Sequence, residues 1–312
     1  MSFKYDDLKK IYEKVKNMKQ KGKNADYIPD LKIANPNIYG FSICDINGNI
    51  VNFGNYDTEV GIESVSKVFT LALALNMYNV DKIINYIGDK DEIHEFNSMN
   101  DVINIQGHTI NSFVNAGAMA TTSLLYDKNK SKSENEKYID KHILENMENF
   151  AGRKLKLNKH LYLSEYRTGQ HNRKIIDKLI SYHRFYGDPE TIFKSYTKQC
   201  SMMVTTKDIA IMAATLANGG TNPVTHKHII SNEKTNYIID HMAQHGLYDE
   251  APLWWKQTYL PAKSGVGGII MIVIPGIMGI GIVSPPLNKY GNSYKGIKTG
   301  KLLANIPIYP NL

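Results

Sequence analysis

Cysteine is scarce in this sequence: Cys44 and Cys200 are the only two among 312 residues. Two thiols so far apart cannot make a disulfide framework, and their scarcity suits a reducing compartment. The opening Met1-Ser2-Phe3-Lys4-Tyr5-Asp6-Asp7 lacks both an apolar h-region and a small-residue cleavage site, so the cytoplasm is the expected location. An unbroken membrane-length apolar run is also missing. The most apolar stretch, Gly265 to Leu287, approaches the roughly 20 residues of a membrane span, but glycines interrupt it and Pro275-Gly276 breaks it. Two buried strands joined by a Pro-Gly turn are expected there, and no transmembrane helix. The excess of 37 Lys and Arg over 30 Asp and Glu gives a net charge of +7. These lysines are spread along the chain and concentrate mainly before residue 24, which describes a solvated surface better than a nucleic-acid footprint.

What is present is patterned. Leu8, Ile11, Tyr12, Val15 and Met18 recur at helical spacing among lysines, predicting an amphipathic N-terminal helix within residues 1–24. Residues 25–312 are expected to form a single catalytic domain. It opens on two β-like runs, Ile38 to Cys44 and Asn49 to Phe53, joined through Asn47-Gly48, a strong hairpin signal. Helical periodicity then dominates, near residues 65–77, 80–87, 111–125, 138–150, 174–185, 206–217 and 232–245, giving a helical lobe at about 80–240. Thr205 with Asp208 resembles a capping box, and Asn218-Gly219-Gly220 supplies a left-handed stop. The polar run Asp127 to Lys137 reads as a solvated loop. Strands return at Tyr259 to Ala262, Gly267 to Ile274 and Met278 to Val283. Strands at both ends with helices between them predict an α+β fold: an antiparallel sheet built from N- and C-terminal strands with flanking helices, plus an inserted helical lobe. The cleft between them is the natural site.

The motif with chemistry in it is Ser-x-x-Lys, which on a helix sets an amine beside a hydroxyl. It occurs three times, at Ser64–Lys67, Ser195–Lys198 and Ser231–Lys234. Ser231 precedes a helix with Glu233 in its first turn, so N-capping explains it. Ser195 has no buried helical face directly after its lysine. Ser64 opens the apolar run Val68 to Leu75, which should draw Lys67 out of water. Desolvation lowers a lysine toward neutrality, where its free amine can take the serine proton. A serine at a helix start also leaves N–H groups for an oxyanion. Lys263-Ser264-Gly265 stands before the apolar strand pair as a Lys-Thr/Ser-Gly element does in β-lactamases and penicillin-binding enzymes. The glycines around Val266 make its N–H a second oxyanion donor beside that of Ser64.

Eight ordered segments resemble the bacterial and mitochondrial glutaminase family over nearly the whole chain. They are Ala25-Asp26-Tyr27-Ile28-Pro29, Glu63 to Lys67, Val114-Asn115-Ala116-Gly117-Ala118, Ser164-Glu165 with Asn172-Arg173, and Ala213 to Gly220. Gly246-Leu247-Tyr248-Asp249, Pro261 to Val266, and Ser284-Pro285-Pro286-Leu287 with Gly291-Asn292-Ser293 complete the set. The resemblance implies a β-lactamase/transpeptidase-like fold and an amidohydrolase that converts L-glutamine to L-glutamate and ammonia through a Ser64–Lys67 dyad and a glutamyl-serine intermediate. It implies that Tyr27, Ser64, Asn115, Glu165, Asn172, Tyr196, Tyr248 and Val266 line the glutamine site, and it suggests a homo-oligomer, a dimer or tetramer. Glu165 suits the substrate ammonium, while Asn115, Asn172 and Tyr196 suit its carboxylate. Tyr248 is a candidate catalytic group that relays a proton between Lys67 and departing ammonia. No cofactor or metal is required by that chemistry. The sequence departs from the family pattern at Gly61-Ile62-Glu63, where a more apolar or glutamine-containing stretch is common, and at Val68, which replaces a frequent proline.

Other features are given structural readings. His241 and His245 have a metal-ligand spacing, but Met242 stands where a metalloprotease would carry its general base, so last-turn helix residues are expected. His226 and His228 flank a lysine with no third ligand nearby. Ser98-Met99-Asn100 mimics an element of penicillin-binding enzymes within a polar loop. Cys44 is expected in the core, and Cys200 to pack near the substrate wall. Two other readings stay open: another serine amidase of the β-lactamase or penicillin-binding class, and a glutamine-binding sensor without catalysis.

Overall fold

A computed structural model describes residues 3–90, 102 and 107–308. The Ser98-Met99-Asn100 element lies outside them. Five strands form the main sheet: β1 (Gly40–Asp45), β2 (Ile50–Gly54), β6 (Ala262–Gly265), β7 (Ile269–Ile274) and β8 (Met278–Val283). Their order is β2-β1-β8-β7-β6, with every pair antiparallel. The N-terminal hairpin is thus joined to the C-terminal strands by β1 against β8. Both predicted turns are present, with Gly48 at φ 84° and Gly276 at φ 71°, a backbone region that glycine enters without steric cost.

The continuous apolar run of β7 follows from burial on both faces. Ile269, Met271 and Val273 join the core of the helical lobe, whereas Ile270, Ile272 and Ile274 join a second core on the opposite face. That second core is covered by the N-terminal helix Tyr5–Lys16 through Leu8, Ile11 and Val15, together with Trp254 and the helix Tyr294–Leu303. On the lobe side the helix Thr206–Ala217 lies directly on β8. A Cβ on Gly279 would meet Ala214 N at 2.1 Å and one on Gly281 would meet Thr206 O at 2.3 Å, so strand and helix touch backbone to backbone. The Thr205–Asp208 capping box starts this helix as predicted, and Gly219 and Gly220 at φ 63° and 89° end it.

Three short strands, β3 (Val60–Gly61), β4 (Lys156–Leu157) and β5 (Met202–Val204), form a second sheet in the order β3-β5-β4. It ties the segment before Ser64 to the lobe. The lobe is built on the helices Ser66–Met77, Asn115–Ser123, Lys132–Ala151 and Pro189–Cys200.

Beyond the helices Lys159–Thr168, Ala251–Thr258 and Tyr294–Leu303 and the second sheet, which the periodicity does not announce, the chain differs from the sequence expectations at three of the motifs. The helix Lys132–Ala151 begins inside the expected 127–137 loop, capped reciprocally by Ser131 and Glu134. The residue its first turn buries is polar, Asn135, which donates to the Asp127 and Lys130 carbonyls, so no apolar signal marks the start. Ser195 and Lys198 do lie on a buried helix, Pro189–Cys200, but Ser195 donates to Asp140, and Lys198 pairs with Glu136 and Asp140. The strand expected at Tyr259 to Ala262 is Ala262–Gly265, because Tyr259 at φ 52° is the left-handed end of the preceding helix. Ser231 is the N-cap that the sequence suggests. Among the described residues no helix is long and apolar enough to cross a membrane.

Candidate active site

Where the 3-10 turn Glu63–Val65 meets the end of β6, a cavity of about 140 Å³ opens between sheet and lobe. Close approach of these segments depends on glycine: a Cβ on Gly265 would lie 2.8 Å from Ile62 O, and one on Gly267 would lie 2.7 Å from Gly61 O. Val266, between those glycines, is thereby brought to the wall that carries Ser64. Tyr27, Asn115, Glu165, Asn172 and Tyr196 also line the cavity, beside Glu63 and Cys200. Tyr27 is 54% exposed and stands at the rim.

Lys67 and Tyr248 lie just behind this wall. The apolar helix Ser66–Met77 leaves Lys67 only 1% exposed, and burial brings its amine down to about 7. Lys67 Nζ donates to Phe113 O at 2.9 Å, Asn115 Oδ1 at 2.7 Å and the Tyr248 hydroxyl at 3.2 Å. Ser64 is not among its partners; it lies beside the Tyr248 phenol and offsets part of the effect of burial on it. The Ser-x-x-Lys spacing predicts Lys67 directly against Ser64, but Ser64 sits in the 3-10 turn ahead of the α-helix, and a tyrosine stands between the two. Lys263 Nζ donates to the same Tyr248 oxygen at 3.0 Å, and burial followed by repulsion from Lys67 holds it well below the ordinary lysine range.

The polar wall is continuous. Asn115 Oδ1 accepts from Tyr196 as well as from Lys67, and Asn115 Nδ2 donates to Asn172 Oδ1 at 3.1 Å. Ser201 donates to Glu165 at 3.2 Å.

Glu63 is the member that the sequence reading missed as a site residue. It is 2% exposed, faces the cavity and hydrogen-bonds Glu165, while its Oε1 has no partner. Two buried carboxyls in contact cannot both ionise freely. Burial, then the Glu165 charge, pushes Glu63 well above the usual carboxyl range, and burial raises Glu165 to about 8. Glu63 thus holds its proton more firmly, and Glu165 is the first of the pair to ionise. Among the described residues, Glu63 and Tyr248 are also two of five non-glycine residues at positive φ, 50° and 52°, a conformation that costs about 1–3 kcal/mol and clusters at functional sites. Cys44 is buried in β1, and Cys200 is buried with Sγ 3.9 Å from Ser66 Oγ.

The arrangement sets a hydroxyl and buried, weakly basic amines around one phenol, beside a pair of carboxyls that burial inclines to hold their protons. It suits nucleophilic attack on a small acyl compound bearing an ammonium group.

The glutaminase family model matches residues 22–306. A protein named glutaminase from Colwellia psychrerythraea is 40% identical over 306 residues, covering 96% of this chain and 96% of the relative. Another from Bacteroides fragilis is 38% identical, covering 96% and 91%. A solved structure described as the probable glutaminase ybaS superposes with a TM-score of 0.90 at 35% identity, over 96% of each chain. Together with the matching sheet and lobe, these likenesses settle the family: the chain belongs to the glutaminases.

Proposed function

We propose that the protein hydrolyses the side-chain amide of L-glutamine with Ser64 as nucleophile. The observation that carries this reading is the 3.2 Å hydrogen bond between Lys67 Nζ and the Tyr248 hydroxyl, with Ser64 beside that phenol on the cavity wall and the amine brought down to about 7. Neutral Lys67 draws the Ser64 proton through the Tyr248 hydroxyl, and Oγ attacks the side-chain carbonyl carbon. The Ser64 and Val266 N–H groups hold the resulting oxyanion. The proton returns to the amide nitrogen, the C–N bond breaks, and ammonia leaves a glutamyl ester on Ser64. Water then adds to the ester, its proton taken by the same path, and glutamate departs as Oγ regains a proton.

Substrate orientation follows from charge. Glu165, with Glu63 beside it, receives the α-ammonium, while Asn115, Asn172 and Tyr196 face the α-carboxylate and Tyr27 closes the rim. Asparagine, one methylene shorter, would set its amide out of register with Oγ. Two buried free cysteines suit a reducing cytoplasm, and the family resemblance favours a homo-oligomer.

The test is ammonia release from glutamine, asparagine and γ-glutamyl compounds by the wild type and by Ser64→Ala. Turnover of glutamine that disappears in the variant supports the reading. Full activity in Ser64→Ala, or hydrolysis of a β-lactam without glutamine turnover, overturns it.

A further inference from the structure

Away from the cavity, three groups able to ligate a metal come together. The helix Asn232–His245 carries His241 and His245 at i and i+4, on one face. Asp89 follows the helix Val80–Ile87, 152 residues from His241 in sequence. Gly88 sets its approach: at φ 103° its Cβ position lies 2.4 Å from Thr109 O, so only glycine lets the chain turn there.

His241 Nδ1 lies 3.0 Å and His245 Nε2 3.8 Å from the same oxygen, Asp89 Oδ1. The three ligating atoms all fall within 4.8 Å of one another. Tetrahedral zinc, with bonds of 2.0–2.1 Å, holds its donor atoms roughly 3.3 Å apart. The separations of 3.0 and 3.8 Å bracket that spacing.

Hydrogen bonding alone accounts poorly for the cluster. The imidazoles are 2% and 1% exposed, and His245 Nε2 stands 3.8 Å from Asp89 Oδ1, longer than a hydrogen bond, although both rings turn a nitrogen toward that one oxygen. The Asp89 side chain remains 24% exposed, which leaves a path for an ion to reach the buried nitrogens.

We propose that Asp89, His241 and His245 bind a divalent transition-metal cation, zinc in the first instance, with water in the fourth position. Two imidazole nitrogens and one carboxylate favour zinc or cobalt over magnesium or calcium, which take oxygen ligands. Phe113 connects this place to the amide site. Its ring meets His241 edge-on with centroids 4.6 Å apart, and its carbonyl accepts from Lys67. A bound ion therefore braces the wall that holds Lys67.

The experiment uses the full chain, stripped with a chelator, dialysed, and titrated separately with Zn²⁺ and Co²⁺ by calorimetry and visible spectroscopy. One ion per chain is expected, with a cobalt d–d band and a zinc-dependent rise in Tm that Mg²⁺ does not reproduce. Both signals should be lost in His245→Gln and in Asp89→Asn, the latter at a partly exposed position where folding is least at risk. A wild type that binds neither ion, or one-to-one zinc binding that survives both substitutions, overturns the proposal.

Discussion

Lys67 and Lys263 converge on one oxygen, the Tyr248 hydroxyl, from 3.2 and 3.0 Å. Two amines this close in a buried setting disfavour double protonation, and burial depresses each further. At neutral pH the phenol therefore touches at least one amine able to accept a proton.

If that phenol carries the Ser64 proton, Tyr248→Phe keeps the packing and removes the path. Steady-state kinetics on glutamine should show kcat lower by about 10²–10⁴-fold, with KM within a few-fold of the wild type. An unchanged kcat would remove Tyr248 from the proton route.

The pH profile has a definite sign. Lys67 must be neutral to act as base, and its depressed value near 7 means that the active form grows as pH rises through 7. Below that point kcat/KM should climb about tenfold per pH unit and then level. Lys67→Arg should be inactive throughout, because a guanidinium does not deprotonate in this range. A flat profile from pH 5 to 8 in the wild type would sink the assignment.

Glu63 and Glu165 invite a paired test. Glu63→Gln retains a donor toward Glu165, so KM for glutamine should change by only a few-fold. Glu63→Leu removes that donor, and a lost hydrogen bond to a charged group costs about 1.5–3 kcal/mol, or roughly 10–100-fold in KM. Without it Glu165 holds its proton more firmly, so the penalty should shrink as pH rises. Equal KM values for the two variants would show that the shared proton is irrelevant to binding.

Gly117 tests how the scaffold holds Asn115. A Cβ there would stand 1.8 Å from Asn111 O, backbone against backbone, with no side chain able to yield. Gly117→Ala should cost about 2–3 kcal/mol of stability and raise KM as the helix Asn115–Ser123 shifts. Thermal denaturation equal to that of the wild type would contradict the packing argument.

Local signals made much of this molecule legible. The β1–β2 hairpin, the Pro275-Gly276 turn and the Thr205–Asp208 cap are short-range chemistry, and each stands where the residues put it. The helix at Lys132 is obscured because its first turn buries a polar residue, Asn135, and so has no apolar stripe, although Ser131 and Glu134 spell its capping box. Asp188-Pro189 likewise marked the start of the helix that carries Ser195. Within the candidate site, the lining residues were reachable through family resemblance, and burial of Lys67 through the apolar run after it. The bridging role of Tyr248 was not, since Lys67 lies 181 residues and Lys263 15 residues from it, and no periodicity encodes where three such side chains meet. Asp89 beside His241 was hidden for the same reason.

The pairing of β1 with β8 also fixes when the protein becomes competent during synthesis. A nascent chain that has emerged through the helix Asn232–His245 already carries Ser64 and Lys67, yet it lacks Tyr248, Lys263, Val266 and β8, the second partner of β1. Until β8 leaves the ribosome, β1 presents an open, apolar edge of the kind that recruits other strands. The completed cavity wall and the cover for that edge thus both come from the final stretch of translation, and a chain stalled at the end of the helix Asn232–His245 has neither.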